Sequence, residues 1–327
     1  PGCNNCLPFN QVYAIEEDDL GLIWVMSQNG IIVFNPETEK SQVAYPFGKD
    51  ILSETIVADN MDLLKDSQGR IWATNGLGLL RFSYKKNDGS RKVLPAHPAG
   101  DFLNREFIHL CPEIKSPDNI AQKIYEDPQG NIWAGCYTGL YVLRKNDTRF
   151  HRLEMHSDQF GHPLSSVWDI LEQDEDTYWI IDKTRNFLMT NVKKALSGKF
   201  PDASALSFTE FELPDRQTAY CLYKDRDNNI LIGADHNVFR LNGSDRKNGL
   251  AFTPLYRNLV DPNDNRINKH VHCILEDRTG MLWTTNYFYG ILRFNLKHSQ
   301  FRSYEKEVST WFSNIDINHI LKDGKEN

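Results

Sequence analysis

One phrase recurs six times along this chain and limits its fold more than any other feature: AIEEDDLGLIWV, LLKDSQGRIWAT, KIYEDPQGNIWAG, ILEQDEDTYWII, LYKDRDNNILIG and ILEDRTGMLWTT. A repeat at blade-length period dictates architecture, because each unit can bury its apolar face only against its neighbours. The anchor falls at Trp24, Trp72, Trp133, Trp179, Leu231 and Trp283, with spacings from 46 to 61 residues. That is close to the length of one four-stranded propeller blade. The tail 317–327 (INHILKDGKEN) restarts the phrase and stops before an anchor. The expectation is six complete repeats plus the start of a seventh, in a single domain spanning 1–327 that is cut within its last blade.

Each repeat has the same grammar. An alternating run, such as Val271, Cys273 and Leu275 against His272, Ile274 and Glu276, ends in a polar residue six before the anchor: Asp18, Asp66, Asp127, Gln173, Asp225 or Asp277. Three before the anchor stands Gly21, Gly69, Gly130, Asp176, Asn228 or Gly280. An acid followed by Gly or Asn is hairpin chemistry, since the carboxylate accepts nearby N–H bonds and Gly or Asn tolerates positive φ. An apolar strand follows, then a short loop, another strand (GIIVF, GLLRF, GLYVL) and, in several copies, a fourth (RFHRLEM, LSFTEFEL, SQFRSYE). Alternation with closely spaced turns and no strong helical pattern predicts an all-β propeller of four-stranded antiparallel blades. The stretch 84–119, rich in Lys, Pro and Gly, reads as a loop excursion.

Composition narrows the partners. With 40% hydrophobic residues in 327 the chain can build a sizeable core. A formal charge of −7 argues against a nucleic-acid partner, which would call for a basic stripe. No apolar run reaches the length of a membrane helix. Cys136, Cys221 and Cys273 sit in strand patterns as small buried residues, while Cys3 and Cys6 form a lone C-x-x-C whose redox state is open. No second ligand pair accompanies it, so neither metal nor cofactor is expected.

In a blade, the a–b and c–d turns point to one face, and the b–c loops and d–a connections to the other. The Asp turns are a–b turns and nearly invariant between copies, which makes them structural. The b–c loops (75–78, 136–138, 182–186, 235–237, 286–289) and the residues entering strand a (59–62, 165–169, 217–220, 270–272) vary, and variation on a repeated scaffold marks a binding surface. Candidate ligand-binding residues there are Trp168, Asp169, Arg185, Tyr220, His236, His270, His272, Asn286, Tyr287 and Tyr289. Aromatic faces beside Asn, Asp, Arg and His suit sugars. The same aromatics can instead seal the layer between blades, and the His270/His272 pair can line a polar channel. No Gly-x-Ser-x-Gly, Walker loop or HExxH occurs, and no catalytic residue is assigned.

The phrase resembles the two-component regulator propeller repeat, most closely in KIYEDPQGNIWAGCYTGLYVL, LLKDSQGRIWATNGLGLLRF and ILEDRTGMLWTTNYFYGILRF. The run PLSSVWDILEQD (163–174) is similar to that family's entry into strand a. The fourth unit (Tyr178-Trp179-Ile180-Ile181-Asp182, with Arg185 for Gly) and the fifth (Leu231 for Trp) depart from the pattern. The resemblance implies the periplasmic sensor region of a Bacteroides-type hybrid histidine kinase. In such proteins the propellers bind oligosaccharides, and a second propeller, downstream domains, a homodimer and a membrane-anchored parent chain pass occupancy to the kinase. On this reading the fragment itself is non-catalytic. The alternatives are a protein-interaction or dimerisation scaffold, or a propeller enzyme such as a streptogramin-type lyase or a glycan-cleaving enzyme.

Overall fold

The alternating runs and Asp turns fold into four-stranded antiparallel meanders, each strand pairing with the next in sequence. The structure, a computed structural model, describes residues 12–27, 30–46, 61–75, 78–84, 103–110, 120–153, 166–245, 249–255, 270–286, 290–295 and 300–303. Blade 1 comprises β1 (Val12–Glu17), β2 (Ile23–Ser27), β3 (Gly30–Asn35) and β4 (Lys40–Pro46). Blade 2 comprises β5 (Leu63–Lys65), β6 (Ile71–Asn75), β7 (Gly78–Tyr84) and β8 (Leu103–Ile108). Blade 3 follows with β9 (Ala121–Glu126), β10 (Ile132–Cys136), β11 (Gly139–Leu143) and β12 (His151–Leu153). Blade 4 has β13 (Val167–Asp174), β14 (Thr177–Asp182), β15 (Asn186–Thr190) and β16 (Ser207–Phe211). Blade 5 has β17 (Ala219–Lys224), β18 (Ile230–Ala234), β19 (Val238–Asp245) and β20 (Gly249–Pro254). Blade 6 has β21 (Val271–Glu276), β22 (Met281–Asn286), β23 (Gly290–Asn295) and β24 (Gln300–Ser303). The chain divides into two compact units, Pro1–Glu154 and Met155–Asn327, with three of these blades in each. The expected start of a seventh blade lies outside the described residues.

The anchor position is explained by one carboxylate doing two jobs. Asp127 Oδ1 accepts the Asn131 N–H at 2.8 Å across the turn, and its Oδ2 accepts the Trp133 indole N–H at 2.8 Å. Asp18, Asp66 and Asp277 bind Trp24, Trp72 and Trp283 in the same way, each at 2.7 Å. Gln173 keeps the bond to Trp179 at 2.9 Å without a charge. In blade 5, where Leu231 replaces the indole, the Asn229 amide donates to Asp225 Oδ2 at 2.8 Å instead. Gly130 takes φ 83 in its turn, and Asn228 adopts φ 61 in the same place in blade 5. Trp24, Trp72, Trp133 and Trp179 are fully buried. Trp24 meets Phe82 of the next blade at 5.1 Å, and Trp72 meets Phe150 at 6.1 Å.

Strand a is an edge strand, so its outer N–H groups have no ladder partner. Side chains of the preceding blade supply acceptors. Asp62 Oδ2 accepts the Ile124 N–H at 3.2 Å, and Asp169 Oδ2 accepts the Leu222 N–H at 2.7 Å. Tyr223 Oη accepts the Glu276 N–H at 3.1 Å. A second row of clasps joins the Asp turns: Ser67 to Glu126 at 2.6 Å, Lys65 to Asp19 at 3.1 Å and Arg226 to Glu276 at 2.9 Å.

Two features depart from the expectations of the sequence. The excursion at 84–119 contains β8, the outer strand of blade 2. The c–d link of blade 4 carries a short helix, α1 (Val192–Leu196), which the alternation did not announce. Asp176 holds it, its Oδ1 accepting the Lys193 N–H at 2.9 Å, while Glu175 binds Lys193 Nζ at 2.7 Å. The irregular turn of the fourth repeat is therefore a helix dock.

Candidate functional site

A β-bulge in strand a builds the site. In blades 4, 5 and 6 the register with strand b slips by one residue, between Val167 and Asp169, Ala219 and Cys221, and Val271 and Cys273. The extra residues are Trp168, Tyr220 and His272, eleven before each anchor. Blades 1 and 3 bulge at Tyr13 and Gln122. A bulged residue leaves the ladder and its side chain is re-aimed.

The re-aimed rings of the second unit converge. Trp168 and Tyr220 stack at 5.7 Å and 16°, and His270 stacks on Tyr220 at 4.5 Å and 19°. His272 tilts against both, 5.1 Å from Tyr220 and 5.9 Å from His270. The Tyr220 hydroxyl donates to Asp235 Oδ1 at 2.9 Å and lies 3.4 Å from His270 Nε2, which is 3.7 Å from Asp235 Oδ1. Asp235 is held in turn by the Thr218 N–H, which donates to its Oδ2 at 2.7 Å. The b–c loop and the d–a connection are stitched again by Asp235 N–H to Thr218 O at 3.1 Å and His236 N–H to Gln217 Oε1 at 3.1 Å.

Burial sets the protonation. It pushes the Tyr220 phenol up, reinforced by the Asp235 hydrogen bond and charge, so the hydroxyl stays a donor. Burial lowers His270, with Asp235 opposing and His236 adding to the fall. Burial, then the neighbouring His270, takes His272 down to about 4. Both shifts favour the neutral imidazole. One neutral imidazole beside a Tyr–Asp pair can accept a proton or a hydrogen bond from a bound hydroxyl.

A groove of about 370 Å³ adjoins this cluster through Gln217 and Thr218. Its walls are the blade 4 b–c loop, with Lys183 and Arg185, and the connection 210–219, with Glu210, Glu212 and Arg216. That volume falls in the range of small-ligand sites.

Of the sequence candidates, Trp168, Tyr220, His270 and His272 form the stack, and Arg185 lines the groove. Asp169 is 6% exposed, with its carboxylate between the N–H groups of Ile170 and Leu222, at the junction of blades 4 and 5. His236 is exposed beside the cluster. Asn286 pairs through its backbone with Val271 and Gly290, while Tyr287 and Tyr289 lie outside the described residues. Asp235, Gln217 and Thr218 fall within the variable segments 235–237 and 217–220 but were not named as candidates, and Arg216 lies outside those segments. The acid directly after strand b of blade 5, where the other repeats have Gln28, Gly76, Tyr137, Lys183 and Tyr287, was the available clue for Asp235. Among the described residues, no group of three or more His, Cys, Asp or Glu is placed to hold a metal.

The meanders and their bulged, ring-lined strands define a β-propeller repeat protein with six described blades. Residues 115–138 match the family model described as two component regulator propeller. No curated protein matches the chain in sequence. Among solved structures, it is similar to the extracellular domain of the hybrid two component system BT3049 from B. thetaiotaomicron. The TM-score is 0.69 at 18% identity, covering 99% of this chain and 39% of that one. This chain thus spans well under half of that protein. It is also similar to virginiamycin B lyase from Staphylococcus aureus, with TM-score 0.57, 17% identity, and coverage of 90% of this chain and 84% of the lyase. A catalytically inactive histidine-to-alanine variant of that lyase with quinupristin gives TM-score 0.55, 17% identity and the same coverage. These likenesses establish the propeller fold. They also correct the expectation of a non-catalytic fragment: the same fold, over nearly this whole chain, carries catalysis in the lyases, so the architecture gives no ground for excluding an enzyme.

Proposed function

We propose that this chain is a ligand-binding propeller of an extracytoplasmic, periplasmic two-component sensor, taking an oligosaccharide on the b–c/d–a face of blades 4 and 5. The observation that carries the reading is the continuity of a polar groove with a ring-lined cluster whose hydrogen-bonding groups are already oriented. The regulator-propeller match and the likeness to a two component extracellular domain support the sensor context. Occupancy reaches a kinase elsewhere in the parent polypeptide only if the ligand binds two arrangements of domains, or of a homodimer, with different affinity.

The Tyr220–His270–Asp235 contact favours a second reading, chemistry on the bound ligand with His270 accepting a proton, and the lyase likeness supports it. One experiment separates the two: calorimetric titration of the chain against a panel of neutral and acidic oligosaccharides, with mass spectrometry of the recovered sugars. Saturable binding with intact sugar, weakened in Trp168→Ala, supports the sensor. Turnover abolished by His270→Ala supports the enzyme, and no binding across the panel refutes the saccharide reading.

A further inference from the structure

The groove holds two cations that no acid answers. Lys183 comes from the b–c loop of blade 4 and Arg216 from the connection to blade 5. Among the described residues neither side chain pairs with a carboxylate. Arg185, between them in the lining, lies 3.8 Å from Glu210 and rests over the Phe187 ring at 5.2 Å. The acids of the lining are otherwise engaged or open to hydroxyls. Asp182 is 3% exposed, and its Oδ1 accepts both the N–H and the O–H of Thr184 at 3.0 Å. Glu212 is exposed on the wall.

The backbone marks the same place. Six non-glycine residues among those described have positive φ; Arg216 at 53° lines this groove, Asp215 at 57° precedes it in the chain, and Ser166 at 67° is hydrogen-bonded to the lining residue Lys183. Left-handed backbone is costly for residues with a Cβ and gathers where a side chain must be held in place. Here it carries Arg216 directly. It also supports Lys183, whose N–H donates to the Ser166 carbonyl at 3.1 Å.

We propose that the groove takes the anionic group of an acidic saccharide, a carboxylate or a sulfate, between Lys183 and Arg216, leaving Glu212 and Asn186 for hydroxyls. This rests on the ligand-binding reading above and adds the charge of the ligand. The test titrates the chain with cellobiose, cellobiouronic acid and cellobiose sulfate, and with inorganic sulfate alone. At least one acid binds about tenfold or more tighter than cellobiose, and the advantage shrinks as salt rises. Which acid wins tells carboxylate from sulfate. Arg216→Gln and Lys183→Gln each weaken the acid about fivefold and weaken cellobiose distinctly less. Arg216→Lys retains most of the affinity, and unchanged thermal unfolding shows that the exposed variants are folded.

Equal affinity for neutral and acidic sugars, or equal losses for both in the variants, overturns the anionic subsite while the saccharide reading stands. Binding of inorganic sulfate that Arg216→Gln abolishes, with none of the three sugars binding, keeps the subsite and overturns the saccharide reading. No binding of any probe overturns both.

Discussion

Blades 3 and 6 differ at one residue that tests the indole–carboxylate bond. Asp127 Oδ2 has two donors, the Trp133 indole and the Asn131 amide, both at 2.8 Å. Asp277 Oδ2 has one donor among the described residues, the Trp283 indole at 2.7 Å, because Met281 stands where Asn131 does. Blade 5 has already lost its indole and relies on Asn229. Trp283→Leu removes roughly 50 Å² of apolar contact, about 1 kcal/mol at 25 cal/mol per Å². It also removes a hydrogen bond to a carboxylate, about 1.5–3 kcal/mol when buried and about 1 kcal/mol at this half-exposed site. The expected loss is about 2 kcal/mol. Met281→Asn then rebuilds the blade 5 arrangement and returns about 1 kcal/mol in the Trp283→Leu background, with little effect when the indole is present. Urea unfolding of the four proteins measures the coupling, which should be about 1 kcal/mol against the few tenths expected for independent sites. Coupling indistinguishable from zero refutes the claim that asparagine substitutes for the indole.

The same cycle has a pH arm. Burial raises the Asp277 pKa, but bonds from Thr279, Trp283 and Met281 outweigh it and hold the carboxyl at about 2. A carboxyl depressed by folding contributes stability that is present above its unfolded value, near 4, and is lost as pH falls toward 2. Trp283→Leu should therefore flatten the acid limb of the stability curve, and Met281→Asn should restore its slope.

Three further outcomes follow from the geometry. Burial first, then Asp62, raises Glu16 to about 7, with Lys65 and Lys123 partly offsetting. Its stabilisation is full below about 4.5 and is lost as pH rises through 7, so Glu16→Gln should raise the unfolding free energy at pH 8, by on the order of 3 kcal/mol at most, and not at pH 4, as urea unfolding at the two pH values will show. Gly233→Ala places a Cβ 2.5 Å from Cys221 Sγ and 2.8 Å from the Val271 carbonyl, and should cost about 1–3 kcal/mol in urea unfolding. Cys221→Ala relieves only part of that, since the carbonyl remains. Asp235→Asn removes the one influence raising His270, so its NMR titration midpoint should fall further, and a rise would refute the contact.

The repeat made the blades legible because its terms are local. An acid, a turn residue and an anchor within six positions state where strand a ends and strand b begins. What the phrase left unexplained was the pairing of Asp with Trp: asparagine two before the anchor stands beside an indole in blade 3 and beside Leu231 in blade 5, so the letters alone do not reveal it. The candidate rings could be named from their variability, but not brought together. Strict alternation put His270 and His272 on one side of a regular strand, whereas the bulge at His272 breaks that alternation. A bulge has no mark in a single copy, since it is an extra residue in one strand measured against another. It is marked in the stack of repeats. The position eleven before the anchor reads Tyr13, Met61, Gln122, Trp168, Tyr220 and His272, while the position nine before stays apolar at Ile15, Leu63, Ile124, Ile170, Leu222 and Ile274. A residue outside the ladder can change without disturbing strand pairing. That freedom is why chemistry can vary from blade to blade at this one column while the sheet beneath it repeats.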